Sequence, residues 1–469
     1  MPTSHHAPAA GPTVNHSARP AWCGLRAIAK SRLGCSSLSD GVTWTEQNGG
    51  MKANTGRRYR LYPALRQAER LTNWGHTSRA VWNVALAQRQ FAWTQRGVTL
   101  RAVGQNRQLT EARAELPWLA DLPAQSAQQV LRNLDAAYDN WWNPQHPAGS
   151  PKFKKRGTHL SVALPGQSVA VRALNHRWGQ VRLPKIGWIR FRLSRPYGGE
   201  IRNATVSRDA LGWHVSFGVA TRERPAVANG LPGCGVDFGV ACSAFVSDES
   251  TPRRMSSTLS AGEWRRLLSL ERRKARQLRW AKRHNAGRYS KRLRRSINEI
   301  AKLRARQARR RADFTHRFTT DVAKRHGWVG IEDLRVVAMT ASASGTIEVP
   351  GRNVGRKATL NRAILDNAPG ERRRQLAYKT RRFGSELRLV APAGTSQTCA
   401  ACGHRDPASR PGCGRVFACT DCGYQAHADA NAAHNIEALA AGQAVNRTRS
   451  HPRVARPSSR MREPLGSGA

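Results

Sequence analysis

Apolar and polar positions change their period several times along the chain. RRYRLYP (57 to 63) alternates and ends on Pro63, which predicts a strand. From Ala64 to about Trp142 the period becomes helical, with Leu71, Trp74, Ala80, Trp82, Ala85 and Leu86 near one face, and QSAQQVLRNLDAAYDNWW repeats the theme. Tryptophans on such a face are expected to pack a core rather than to stack on bases. NPQHPAGSPKFKKRG (143 to 157) breaks the helices with Pro and Gly. Short alternating segments then return between 159 and 222, among them SVALP, VRLP, IRFRL and WHVSFGVA. The pattern reads as an all-β region split from its first strand by a helical insertion.

LPGCGVDFGVACSAFVSD is an apolar strand, a Gly turn and a second strand. In 263 to 311, Trp264, Leu267, Leu268, Ala275 and Leu278 mark one helix, RHNAGRYS a turn, and Leu293, Ile297, Ile300 and Leu303 a second helix, which together make a helical hairpin. GWVGIEDL (327 to 334) is a short strand, and RRQLAYKTRRFGSELRLVAPAG a helix followed by a strand. Residues 1 to 50 and 443 to 469 have no apolar period and read as a disordered extension and tail.

Composition narrows the partner. The chain has 469 residues, room for two or three cores, with 78 Lys and Arg against 30 Asp and Glu, a net charge of +48. Such an excess repels itself unless a polyanion neutralises it, and nucleic acid is the expected polyanion. A membrane is disfavoured, because no apolar run approaches the roughly 18 residues of a spanning helix and no basic amphipathic helix occupies a terminus. The nine cysteines carry no secretory context, which points to a reducing, cytoplasmic setting. The hairpin concentrates 20 Lys and Arg against 3 acids, so Arg272, Arg273 and Arg276 are expected on phosphates. Arg57, Arg58 and Arg60 on the first strand and Lys152, Lys154 and Lys155 around Phe153 are further expected nucleic-acid contacts.

Two constellations carry chemistry. Cys399-x-x-Cys402 and Cys419-x-x-Cys422 stand 16 residues apart, the spacing of a four-thiolate zinc ribbon; a site closed by four thiolates has no open position, so the zinc is structural. Cys413 would be a spare thiol and His404 a surface residue. Acids are scarce, so those at the ends of apolar segments stand out: Asp237 in GVDFG, Glu332 in GIEDL and Asp429 in HADANAAHNI. Asp237-Phe238-Gly239 imitates the magnesium triplet of protein kinases, and His404-Arg405-Asp406 imitates their catalytic loop. The order is reversed, however, with more than 160 residues between them, and Arg410 stands where a kinase needs Asn. Carboxylates that share two divalent ions would hydrolyse phosphodiesters, but about 95 residues separate each acid from the next and no local pattern shows that they meet.

Taken in order, GVDFGV, GIEDL, RRQLAYKTRRFG, AGTSQTCAACG, FACTDCGY and ADANAAHNI resemble the nuclease and zinc-ribbon half of TnpB proteins of insertion sequences and of compact type V CRISPR effectors; YRLYP and SPKFKKR match the amino-terminal half more loosely. Phe238 replaces the commoner Leu. The resemblance covers about 51 to 442 and implies an α/β multidomain chain. Its parts would be a first wedge-domain strand (51–63), a helical recognition lobe (64–148), a wedge β-barrel (149–230), an RNase-H-like RuvC nuclease domain (231–394 and 426–442) with the inserted hairpin, and a zinc ribbon (395–425). It implies that Asp237, Glu332 and Asp429 share two magnesium ions, that the partners are a guide RNA and double-stranded target DNA, and that the activity is RNA-guided DNA cleavage beside a short flanking motif. A strand-joining transposase with the same triad and a non-cleaving guided repressor are the competing expectations.

Overall fold

A computed structural model describes residues 43–47, 50–144, 148–157, 159–223, 226–240, 242–346, 348–411 and 415–445. The expected disorder of 1 to 42, 48, 49 and 446 to 469, and the thiol of Cys413, lie outside the described residues, while 443 to 445 continue a helix instead of starting the expected tail. Strand β1 (Thr43–Gln47) corrects one expectation: it pairs antiparallel with the start of β2 (Gly50–Tyr62), inside the stretch expected to be disordered. Thr-Trp-Thr is β-branched and aromatic, a short strand sequence that the polar composition around it hides.

Four helices follow β2: α1 (Leu65–Arg96), α2 (Ala102–Glu115), α3 (Pro117–Asp121) and α4 (Ala124–Trp142). The chain then returns to strands β3 (Leu160–Pro165), β4 (Ala170–Ala173), β5 (Trp178–Leu183), β6 (Gly187–Arg192), β7 (Glu200–Asp209) and β8 (Gly212–Glu223). These form an antiparallel sheet in the order β3-β7-β8-β2-β6-β5-β4, with β1 beside β2. The helices are thus an insertion between the first long strand and the rest of its sheet. No β3–β4 ladder joins the ends of this path among the described residues.

Alternation sets the sheet's faces. Tyr59 and Leu61 point into the core while Arg58 and Arg60 point out, so a slip of one residue would bury guanidinium groups. The ring of Tyr59 lies between Phe191 (5.3 Å) and Phe217 (5.7 Å). Leu71 and Trp74 of α1 join this core, and Trp82, Ala85 and Leu86 fill a second one with Leu131 and Leu134 of α4. Trp74 and Trp82 are therefore packing residues, as the helical period implied.

The second half builds β9 (Cys234–Asp237), β10 (Phe245–Val246), α5 (Ala261–His284), α6 (Lys291–Arg325), β11 (Trp328–Glu332), α7 (Val336–Met339), α8 (Val354–Asp366), α9 (Pro369–Arg382), β12 (Glu386–Val390), β13 (Val416–Ala418), β14 (Gln425–His427) and α10 (Ala428–Val445). Its sheet runs β10-β9-β11-β12, with β9, β11 and β12 parallel and β10 antiparallel. Val236, Val329 and Ile331 face Phe318 and Val322 of α6 and Leu376 of α9, while α10 covers the other face.

Ser260 caps α5 and Ser290 caps α6 with their hydroxyls, fixing the hairpin's two starts. Two details differ from the periodicity. The row that packs the hairpin is Leu267 and Leu270 against Ile300 and Leu303; Trp264, Leu268 and Ala275 face outward. The second helix also continues to Arg325, because Phe314, Phe318 and Val322 extend its apolar row beneath the sheet and nothing breaks it before Gly327.

Candidate metal centres

Position 235 is Gly two residues before Asp237, and position 330 is Gly two residues before Glu332. In a strand, residues two apart share a face, so each acid points to the side where its glycine leaves room. A Cβ on Gly235 would stand 2.0 Å from the carbonyl oxygen of Ala433, and one on Gly330 would stand 2.7 Å from Cβ of Ala440. The two glycines pair in register, and α10 lies directly on them. Its first turn carries Asp429 to the strand ends, where Asp237 and Glu332 wait.

The three carboxylates line one cleft of about 290 Å³ with Thr395, Ser396 and Arg410. Burial, reinforced by the charges of Asp429 and Glu332, pushes the Asp237 pKa up to about 7, against the opposing pull of Arg410. Burial also raises Glu332, partly offset by Thr395, whose hydroxyl donates to Glu332 Oε1 at 2.5 Å. Three carboxylates lining one cleft are a hard-oxygen donor set of the kind that suits a divalent cation.

The loop after Asp237 is held from below. Asn367 Nδ2 donates to the Gly239 carbonyl at 3.0 Å, and the buried Arg372 donates to the Ser243 carbonyl while stacking on Phe238 and Phe314. Phe238 packs edge-on against Phe318 in the core. The Phe of the kinase-like triplet is thus a core residue, and Asp406 of the other triplet caps a short turn and accepts from Thr420.

The ribbon lies beside this cleft. The Sγ atoms of Cys399, Cys402, Cys419 and Cys422 all lie within 4.8 Å of one another, with Cys399–Cys422 at 3.8 Å and Cys402–Cys419 at 3.7 Å. Backbone N–H groups of Cys422 and Asp421 hold the Cys419 thiol down, while burial and the neighbouring sulfurs raise Cys402 and Cys422, so the first proton leaves from Cys419. Four thiols at this separation fit a tetrahedral zinc. Asn431 and Asn435 of α10 donate to the Thr398 carbonyl, both at 2.7 Å, tying the first knuckle to the helix that carries Asp429. Sequence reasoning missed Thr395 and Arg410, which reach the cleft from the turn after β12 and from the ribbon. Position 395 in TSQTC, four residues before Cys399, was the available signal.

The expected nucleic-acid residues divide into two groups. Arg272, Arg273 and Arg276 are exposed and make no ion pair among the described residues; Arg272 and Arg276 line an open groove on α5 with Arg265. Lys152 and Lys155 are exposed as well. Arg58 instead pairs with Asp209 at 3.0 Å and Arg60 donates to the Leu211 carbonyl, both bracing the β7–β8 turn. Lys154 sits 3.7 Å above the ring of Trp82. Arg57 is half-buried, with its Nε enclosed and unbonded. Arg58, Arg60 and Lys154 thus have partners within the chain that no local stretch of sequence announces.

Three family models match: "Helix-turn-helix domain" over 51–98, "Probable transposase" over 216–343 and "Cas12f1-like, TNB domain" over 370–436. The first description does not fit the geometry, since 51–98 is one strand and one helix of 32 residues. The chain is 38% identical over 331 residues to "Putative RNA-guided DNA endonuclease InsQ" of Escherichia coli K12, covering 71% of this chain and 77% of that one. It is 32% identical over 412 residues to "Putative RNA-guided DNA endonuclease" of Streptomyces pristinaespiralis, covering 86% and 93%. A solved Cas12f1–sgRNA–target DNA complex aligns at 15% identity and a TM-score of 0.48, over 80% of this chain and 83% of that one. Matched to the two curated relatives over most of their length, with the motif order GVDFG, GIEDL, two knuckles and HADANAAHNI intact, the chain belongs to the TnpB family of insertion-sequence proteins.

Proposed function

We propose that this protein is an RNA-guided DNA endonuclease whose cutting centre is the cleft of Asp237, Glu332 and Asp429. The observation that carries the reading is the meeting of these three acids in one cleft of a chain with net charge +48. Two magnesium ions held there would supply an activated water and stabilise the leaving oxygen. The chain's own groups have separate tasks. Thr395 orients the Glu332 carboxylate, and the loop clamped by Asn367 and Arg372 holds Asp237 at the mouth. Arg410 brings a positive charge to a cleft where a phosphate must approach three acids.

In this reading 231–394 and 426–442 form the RuvC-like nuclease domain, 395–425 a zinc ribbon, 51–63 and 149–230 the wedge domain, and 64–148 the recognition lobe. The open groove of Arg272 and Arg276 and the exposed Lys152 and Lys155 follow guide and target backbones, while base pairing reads the sequence. The description "Probable transposase" supports a second reading, since a 3′-hydroxyl can replace water in the same centre. The test is to sequence the RNA that copurifies with the chain and offer duplex DNA matching its variable end behind a randomised flank. Cleavage that leaves free ends and selects a flank supports the proposal. Joined products favour the transposase, and intact DNA under firm guided binding favours a repressor.

A further inference from the structure

His427 and Cys242 stand beside Asp429 and have no part in the cutting centre proposed above. One ligand atom each from Cys242, His427 and Asp429 lies within 4.8 Å of the other two. Cys242 is 4% exposed, with the Asp429 carboxylate within 4.8 Å of its sulfur and Arg254 nearby. His427 is oriented twice over: its ring stacks on Phe245 at 5.7 Å and 24°, and Nδ1 accepts the backbone N–H of Asp429 at 3.2 Å. Thiolate, imidazole and carboxylate together form a borderline-soft donor set, which suits zinc and not magnesium. The ribbon, closed by its own four thiols, is a separate site.

We propose that Cys242, His427 and Asp429 form a second, inhibitory site for a thiophilic divalent cation such as zinc. Three protein ligands leave one coordination position open, unlike a closed structural site. The inhibitory effect, which rests on the nuclease reading, follows from the shared ligand: Asp429 cannot serve the soft cation and the magnesium pair at once. Binding displaces the proton of the Cys242 thiol to solvent, and no redox step is involved.

The probe is zinc itself. Full-length protein with its ribbon loaded is equilibrated with buffered free zinc, freed of excess and assayed for bound metal. Wild type should hold about two zinc ions per chain and both Cys242→Ser and His427→Gln about one. In parallel, cobalt added to the zinc-loaded ribbon protein should give a thiolate-to-metal charge-transfer band in wild type that Cys242→Ser lacks. With magnesium fixed, rising zinc should stop wild-type cleavage and leave both variants cutting. If Cys242→Ser melts, His427→Gln decides alone. About one zinc per chain in wild type, or a second zinc kept by both variants, overturns the site. A second zinc that disappears in the variants, from a protein that cuts under no condition, keeps the site and removes the nuclease reading instead.

Discussion

The ribbon and the carboxylate cleft are neighbours built by opposite strategies. The ribbon takes its four ligands from a span of 24 residues, Cys399 to Cys422, and closes on itself. The cleft takes three acids from β9, β11 and α10, almost 200 residues from first to last, and leaves a mouth of about 290 Å³. The first arrangement makes metal binding a folding event; the second keeps coordination positions for a substrate. They meet through α10, whose Asn431 and Asn435 hold the ribbon while Asp429 reaches the cleft. On the proposed reading, the four thiols would be stabilised by a bound ion and the three acids relieved by one.

Disabling the two centres in turn should therefore give different symptoms. Glu332→Gln or Asp429→Asn removes a charge with little change of shape, and cleavage should fall by on the order of a thousandfold or more while guided binding holds and the melting temperature of metal-free protein does not fall. A single-turnover rate within tenfold of wild type would remove that acid from the centre. Cys402→Ser should instead release zinc and cost several kcal/mol in the ribbon, since the bound ion contributes directly to folding; metal analysis and thermal melting read both effects. An unchanged melting curve with zinc absent would contradict a structural role.

The glycine seat of α10 allows a smaller perturbation. Gly235→Ala places a methyl against helix backbone, which cannot rotate away. Overpacking of this kind costs about 1–3 kcal/mol, and by shifting Asp429 it should slow cleavage more than it lowers stability. Equal losses in both would mean that the helix is only packing.

The pH dependence has the opposite sign to that of a surface acid. Asp237 has a pKa of about 7 in the fold against an ordinary aspartate value of 3.8, so its contribution to stability is complete below the unfolded value and is lost as pH rises through about 7. Metal-free protein should accordingly gain from Asp237→Asn at pH 8 and little at pH 5, and magnesium should raise the melting temperature more at the higher pH. A magnesium effect equal at both would show that the ion binds elsewhere. The smallest effect is expected on the hairpin: changing Arg272, Arg273 and Arg276 together to Gln should make the salt dependence of guided binding shallower by about 2 to 3 in log–log slope, and parallel lines would show a merely solvated face.

How much could be read beforehand follows from the same contrast. The four thiols were legible because their spacing is their geometry. The acids were conspicuous only as carboxylates at strand ends in a basic chain; their meeting depends on Gly235 and Gly330 admitting α10, a tertiary fact that no local window contains. Thr395 and Arg410 stayed hidden for that reason. Sheet and helix boundaries were largely visible in the periods of 2 and 3.6, including the helical insertion behind β2. The hairpin was found with Leu267, Ile300 and Leu303 of its packing row, but Leu270 was missed and Trp264 and Leu268 were put in its place, because they are as apolar and only α6 chooses between them. The partners of Arg58 and Arg60, Asp209 and the Leu211 carbonyl, stand 151 positions further along the chain, beyond any local window.

The decisive experiment is to count and locate manganese, a spectroscopically visible substitute for magnesium, in the zinc-loaded protein bound to its guide RNA and a matched, uncleavable DNA. Electron paramagnetic resonance should report about two manganese ions per chain, coupled through a shared ligand, and Asp237→Asn should abolish the coupled signal while the complex stays assembled. Uncoupled manganese with an identical spectrum in wild type and Asp237→Asn would contradict the account.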